Sequence, residues 1–160
     1  MLKKELITTA LPPGQNKEFD LDENTDWVAE LLAELNEELS SEELQELGDE
    51  TFLTFSGFAL RRTSGKLEDH VKIEGKLETV FGTRCVRTGK PMLDNLSLEI
   101  KLVVVDQEVI NRYGYEEETT LFVDEAEYEL YPSHDNRFNL QEAVHEMIWL
   151  NKEPYPAIEE

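Results

Sequence analysis

The sequence predicts an α+β fold. Its expected form is a twisted antiparallel β-sheet, with curling toward a barrel left open, covered on one face by acidic N-terminal helices and one C-terminal helix. Two observations predict this. Apolar residues recur with a period of two through the middle of the chain, over residues 50–131. Helical periodicity is confined to the two flanks, residues 25–48 and 139–150. At 160 residues the chain fits one domain, 1–160. A domain of this size buries roughly two-thirds of its unfolded surface, so it needs neither a disulfide nor a metal to fold.

Taken in order, residues 2–11 are expected to form a first strand, and Pro12 to Lys17 a turn or linker. Thr25 is placed as an N-cap, with Asp26 at the positive end of the following helix. Trp27, Val28, Leu31, Leu32, Leu35 and Leu39 then fall on one side, and Asp26, Glu30, Glu34, Glu37 and Glu38 mainly on the other. Ser40 to Glu43 reads as a capping box, with Leu39 and Leu44 as its hydrophobic staple. Gly48 suits the C′ position, so 25–48 reads as a helix pair or a bent helix.

Strands follow. Leu53 and Phe55 alternate, and Gly57 is expected to shift the register through a bulge or bend so that Phe58 and Leu60 continue it. Thr63 to Lys66 is a turn. Val71, Ile73, Leu77 and Phe81 keep an alternating register with Lys72, Glu74, Lys76 and Glu78 between them, Leu96, Leu98, Ile100, Leu102 and Val104 keep the same period of two, and the two runs complete an antiparallel meander. Asn111 to Glu118 reads as a loop carrying Tyr113 and Tyr115, and 119–131 as a less regular strand. Asn139 caps the last helix, whose stripe is Leu140, Ala143, Val144, Met147 and Ile148. Trp149 lies opposite that stripe, free to be exposed, covered by the Pro154-Tyr155-Pro156 tail, or docked on a partner.

The formal net charge is −21, and it is unevenly placed. Residues 18–50 hold fourteen acids and residues 116–129 hold seven, with no Lys or Arg in either stretch. Those runs account for the whole excess. Residues 54–90 hold eight bases and four acids, a local +4. The overall sign argues against simple phosphate-driven binding of nucleic acid, while the local distribution leaves room for a small basic face. The plain reading of the acidic helices is a solvated surface that favours solubility. The longest aliphatic run, Leu102 to Val105, is too short to span a membrane. A single cysteine permits no internal disulfide, which suits the cytoplasm. The apolar stretch after Lys3 and Lys4 is too short and too interrupted for a secretory signal.

Between the two longest strands sits Cys85-Val86-Arg87-Thr88-Gly89-Lys90-Pro91. This run resembles the cysteine-containing loop of the YceD-like family, proteins linked to accumulation of large-subunit ribosomal RNA. Gly75 to Thr79 resembles the strand that precedes that loop, and Leu60-Arg61-Arg62 a motif ahead of it in one branch. Asn139 to Glu142, Glu146, Leu150 and Pro154-Tyr155-Pro156 resemble the family's closing helix and tail. The resemblance covers roughly residues 50–156, with an acidic helical segment ahead of it. Many relatives carry a second cysteine at the position of Thr88 and a third near the C-terminus, a metal or disulfide set that this chain lacks. No metal and no cofactor are therefore expected.

The resemblance implies a cytoplasmic, non-enzymatic factor in large ribosomal subunit biogenesis, binding ribosomal RNA or a precursor of the large subunit. The alternative, from charge alone, is a nucleic-acid mimic or chaperone for a basic ribosomal protein. The candidate contacts are Arg61, Arg62, Arg84, Cys85, Arg87, Thr88, Lys90, Pro91, Trp149 and Tyr155. Arginine forks match phosphate oxygens, although ion pairs with this chain's own carboxylates would occupy the same donors. Arg84 and Arg87 would favour a Cys85 thiolate, but no base for catalysis is evident from spacing, and a packed thiol is the plainer role. His70, His134 and His145 show no metal-ligand spacing, and His145 is expected on a solvated face. No catalytic residue is assigned.

Overall fold

The computed structural model describes residues 2–48 and 50–158. It is an α+β fold. A six-stranded sheet is formed by β2 (Asn16–Leu21), β3 (Phe52–Arg62), β4 (His70–Arg84), β5 (Pro91–Asp106), β6 (Thr120–Val123) and β7 (Ala126–Ser133). Their order is β2-β3-β4-β5-β7-β6, so the sheet is open, with β2 and β6 at its edges rather than closed into a barrel. All neighbours are antiparallel except β5 and β7, which run parallel. A separate two-stranded sheet pairs β1 (Glu5–Ile7) with β8 (Arg137–Asn139). The expected first strand over 2–11 is thus only three residues long, followed by a 3-10 turn at Thr8–Ala10.

Alternation along the strands gives the sheet two faces. Val71, Ile73, Leu77 and Phe81 of β4 lie with Ile100, Leu102 and Val104 of β5 on one face. There α1 (Asp26–Leu35) covers them with Trp27, Val28, Leu31 and Leu35, and α4 (Leu140–Asn151) with Leu140, Val144 and Ile148. The Trp27 indole N–H donates to the Leu2 carbonyl at 3.1 Å, which ties the N-terminus to this core. On the opposite face, Val103 and Val105 pack with Leu67, Tyr128, and Val109 and Ile110 of α3 (Gln107–Arg112). Helices therefore reach both faces, with the main core under α1 and α4.

Several caps follow the sequence. Ser40 and Glu43 form the capping box of α2 (Ser41–Glu46), and Gly48 takes φ +93° just beyond it. Leu39 and Leu44 converge over Gly82, where a Cβ would lie within 2.6 and 2.7 Å of their methyl groups. Asn139 caps α4 by accepting from Glu142 N at 3.0 Å. Thr25 has extended N-cap dihedrals but makes no side-chain cap bond.

Other expectations need correction. Gly57 does not shift the register: β3 pairs with β4 without interruption, and Gly57 faces Gly75. Its role is close approach, since a Cβ on Gly57 would sit 1.9 Å from the Glu74 carbonyl oxygen. Leu53, Phe55 and Ala59 consequently share the core face. Part of the expected linker over Pro12 to Lys17 belongs to edge strand β2. The meander of β3, β4 and β5 forms as expected, but a helix follows it: α3 takes Asn111 and Arg112 from the expected loop, and the β6–β7 hairpin returns β7 parallel to β5. Residues 119–131 form a hairpin rather than one strand, turning at Asp124 and Glu125, both at positive φ.

Candidate functional site

The segment from Cys85 to Lys90 joins the two longest strands. Cys85 N donates to Lys90 O at 2.9 Å, and Gly89 N donates to Cys85 O at 2.7 Å. Gly89 takes φ +74°, the left-handed conformation that glycine adopts without steric cost. Thr88 Oγ1 accepts from Lys90 N at 3.3 Å. The loop is therefore closed by its own backbone.

The C-terminal tail returns to this loop. Val86 N donates to Pro156 O at 2.8 Å, and Ile158 N to Cys85 Sγ at 3.4 Å. Arg87 donates to Ile158 O at 3.0 Å. Two candidate segments about 70 residues apart in sequence thus form one surface. On it Tyr155 is 74% and Val86 56% exposed, and Arg87, Thr88 and Lys90 are exposed beside them, with Pro91 half-buried at the strand entry.

Cys85 itself is only 2% exposed. The Thr88 hydroxyl, most of all, and the Ile158 amide pull its thiol down from the ordinary 9.0 to about 6. Burial opposes them, and the amides of Thr88 and Arg87 add to the lowering. The groups that hold the thiolate are thus a hydroxyl and backbone amides rather than the guanidinium groups the sequence suggested. Its hydrogen-bond partners include no imidazole or carboxylate able to act as a base.

Arg84 is bound within the protein. It pairs with Glu43 at 2.7 Å and donates to Gly89 O at 3.2 Å. The Glu43 carboxyl is lowered first by the Ser40 amide and then by Arg84, so one carboxylate both caps α2 and anchors the loop. Asn36 supports the same region: its side-chain oxygen accepts from Gly82 N at 2.7 Å where β4 runs past the start of β3. Glu43 carried a capping signal in the sequence, but its contact with Arg84, 41 positions away, carried none.

Arg61 and Arg62 end β3 and pair with the start of β4, about 45 Å along the strand from the loop at ~3.3 Å per residue. Arg61 forks onto Asp69 at 2.9 and 2.7 Å and donates to the carbonyls of Thr9 and Leu11, which ties the N-terminal segment down. Trp149 is half-buried and stacks on His145 with ring centroids 3.9 Å apart. Lys152 lies 5.2 Å from the Trp149 ring and 5.8 Å from Phe81. His145 is not simply solvated, since it also meets Glu34 at 3.0 Å and so joins α4 to α1.

Among the described residues, no group of three or more His, Cys, Asp or Glu is placed to hold a metal ion. Among the same residues, no helix is long and apolar enough to cross a membrane. The chain matches no family model, no curated protein and no solved structure.

Proposed function

We propose that this chain is a non-enzymatic, cytoplasmic factor in large ribosomal subunit biogenesis, related to the YceD-like proteins. On this reading it contacts ribosomal RNA or a precursor particle through the surface where loop and tail meet. The reading starts from sequence motifs in the 85–91 loop and the 154–156 tail. Its support is the convergence of those two segments, joined by the Val86–Pro156 hydrogen bond at 2.8 Å. Arg87 and Lys90 supply the cations of that surface and Tyr155 a ring on which a base can stack.

The test is crosslinking of the tagged full-length protein in cells, followed by binding of the recovered RNA in vitro. Replacing Arg87 and Lys90 by alanine should weaken binding and lower the salt slope by about 1.4, at roughly 0.7 per phosphate contact on an unpaired strand. A folded double variant with full affinity and an unchanged slope would remove the loop from this role.

A second reading has its own observation. Glu37, Glu42 and Glu46 are exposed, and none forms an ion pair among the described residues. A basic ribosomal protein held on this acidic surface would be released by charge reversal at these three positions, with the loop variant unaffected.

A further inference from the structure

At the opposite end of β4 from the loop, an open cleft of about 350 Å³ lies between the 62–70 segment and β6. Arg62, Ser64, Lys66, His70, Tyr115 and Phe122 contribute to its walls. The local charge balance is unusual for so acidic a chain. Asp124 on the rim is already held by Lys72 at 2.6 Å, which lowers its carboxyl. Glu68 is held by Arg112. Arg62 and Lys66 have no ion pair among the described residues. The cleft thus presents two cations without an ion pair among the described residues, although Asp124, which Arg62 also helps to lower, faces them from the rim.

Two more features narrow the ligand. Phe122 is 77% exposed, the highest value among the large apolar side chains described. It stands on an edge strand at the cleft, where a planar ring can stack on it. His70 is 5% exposed, with Nδ1 2.9 Å from the Glu68 carbonyl oxygen, while its Nε2 is buried without a partner. In the tautomer that donates Nδ1–H to Glu68, Nε2 is an acceptor lacking a donor. A bare phosphate dianion offers no donor, whereas the hydroxyls and amines of a nucleoside do.

We propose that this cleft binds a nucleoside phosphate, with the phosphate between Arg62 and Lys66 and the base against Phe122. An arginine fork beside a lysine suits a dianionic phosphate better than a single carboxylate. The site is independent of the ribosomal reading, since no residue of the Cys85 loop or the tail lines the cleft.

The test titrates the full-length, isotope-labelled chain with the four ribonucleoside monophosphates, the matching nucleosides and inorganic phosphate, read by amide chemical shifts. At least one monophosphate should shift the amides of 62–70 and 120–124, binding about tenfold or more tightly than inorganic phosphate or its own nucleoside. The Arg62→Ala, Lys66→Ala double variant should lose about tenfold or more in affinity with an unchanged melting temperature. A single-stranded tetranucleotide that binds the same residues more tightly than the monomer assigns the ligand to a strand, and weaker binding assigns it to a free nucleotide. The proposal is overturned by any of three results: no shift of these amides at millimolar ligand, equal affinity for inorganic phosphate, or unchanged affinity in the double variant. Loss of RNA binding in the Arg87, Lys90 variant, with nucleotide shifts intact, would separate the two surfaces.

Discussion

The Thr88 hydroxyl is the largest single cause of the lowered Cys85 thiol. Replacing Thr88 by valine keeps the side-chain shape and removes that donor. With a value of about 6, the thiol is roughly 90% ionised at pH 7, whereas at the ordinary 9.0 it would be roughly 1% ionised. The wild-type thiolate absorbance should therefore appear with a midpoint near pH 6, and in Thr88→Val the midpoint should move upward. The sign for stability follows from linkage. A folded value below the unfolded one gives a contribution fully present above pH 9 and lost as pH falls through about 6. Because Ile158 N donates to the same sulfur, its amide should lose protection, relative to the intrinsic exchange rate at each pH, as pH falls through about 6. The assay is ultraviolet absorbance of the thiolate against pH, with Cys85→Ser as the blank. A wild-type midpoint between 8.5 and 9, or one unmoved by Thr88→Val, would refute the assignment of the hydroxyl as the controlling donor.

The other expectations concern the scaffold. Gly57→Ala places a methyl group against the Glu74 carbonyl at 1.9 Å, which only separation of β3 from β4 can relieve. Overpacking of this kind costs about 1–3 kcal/mol, and a backbone obstacle puts it at the upper end. At about 2–4 °C per kcal/mol, Tm should fall by roughly 6 °C or more, and a change within about 2 °C would contradict the close approach. In hydrogen exchange, α1 should be protected, because five of its ten residues are buried. By contrast α2, which buries none, should exchange early at low salt. Equal protection of the two helices would mean that capping, not burial, sets their stability.

The fold was legible wherever one residue's neighbours along the chain decide its conformation. The capping box, the Gly48 terminus and the alternation of Val71 to Phe81 are of this kind. The failures share a cause, which is that partners distant in sequence decided the outcome. Gly57 looks like a bulge when read alone; only Gly75 opposite it shows that the backbones approach closely. In β2, Phe19 and Leu21 alternate with Glu18 and Asp20, but six residues beside an acidic run gave little signal until β3 paired with them. The parallel partnership of β7 with β5 depends on α3, six residues long and capped by Asp106, which accepts from Glu108 N at 2.8 Å. The Asp124-Glu125 turn lacks the glycine that usually marks such a hairpin, and Lys72 holds it from another strand.

The candidate site was half legible for an electrostatic reason. Residues 54–90 hold eight bases, which in sequence look like one basic face. In space, Arg61, Lys72, Lys76 and Arg84 are taken by Asp69, Asp124, Glu78 and Glu43. The four without an ion pair among the described residues are Arg62 and Lys66 at one end of β4, and Arg87 and Lys90 at the other. Two pairs separated by about 45 Å along a strand lie several Debye lengths apart at physiological salt, so neither strengthens the field of the other. They should behave as independent sites. Each double variant should then change binding of its own ligand alone, and their effects on any shared RNA should add within about 0.5 kcal/mol. A larger coupling would require one nucleic-acid strand to bridge both ends of β4, and it would replace two local surfaces with one track along the sheet.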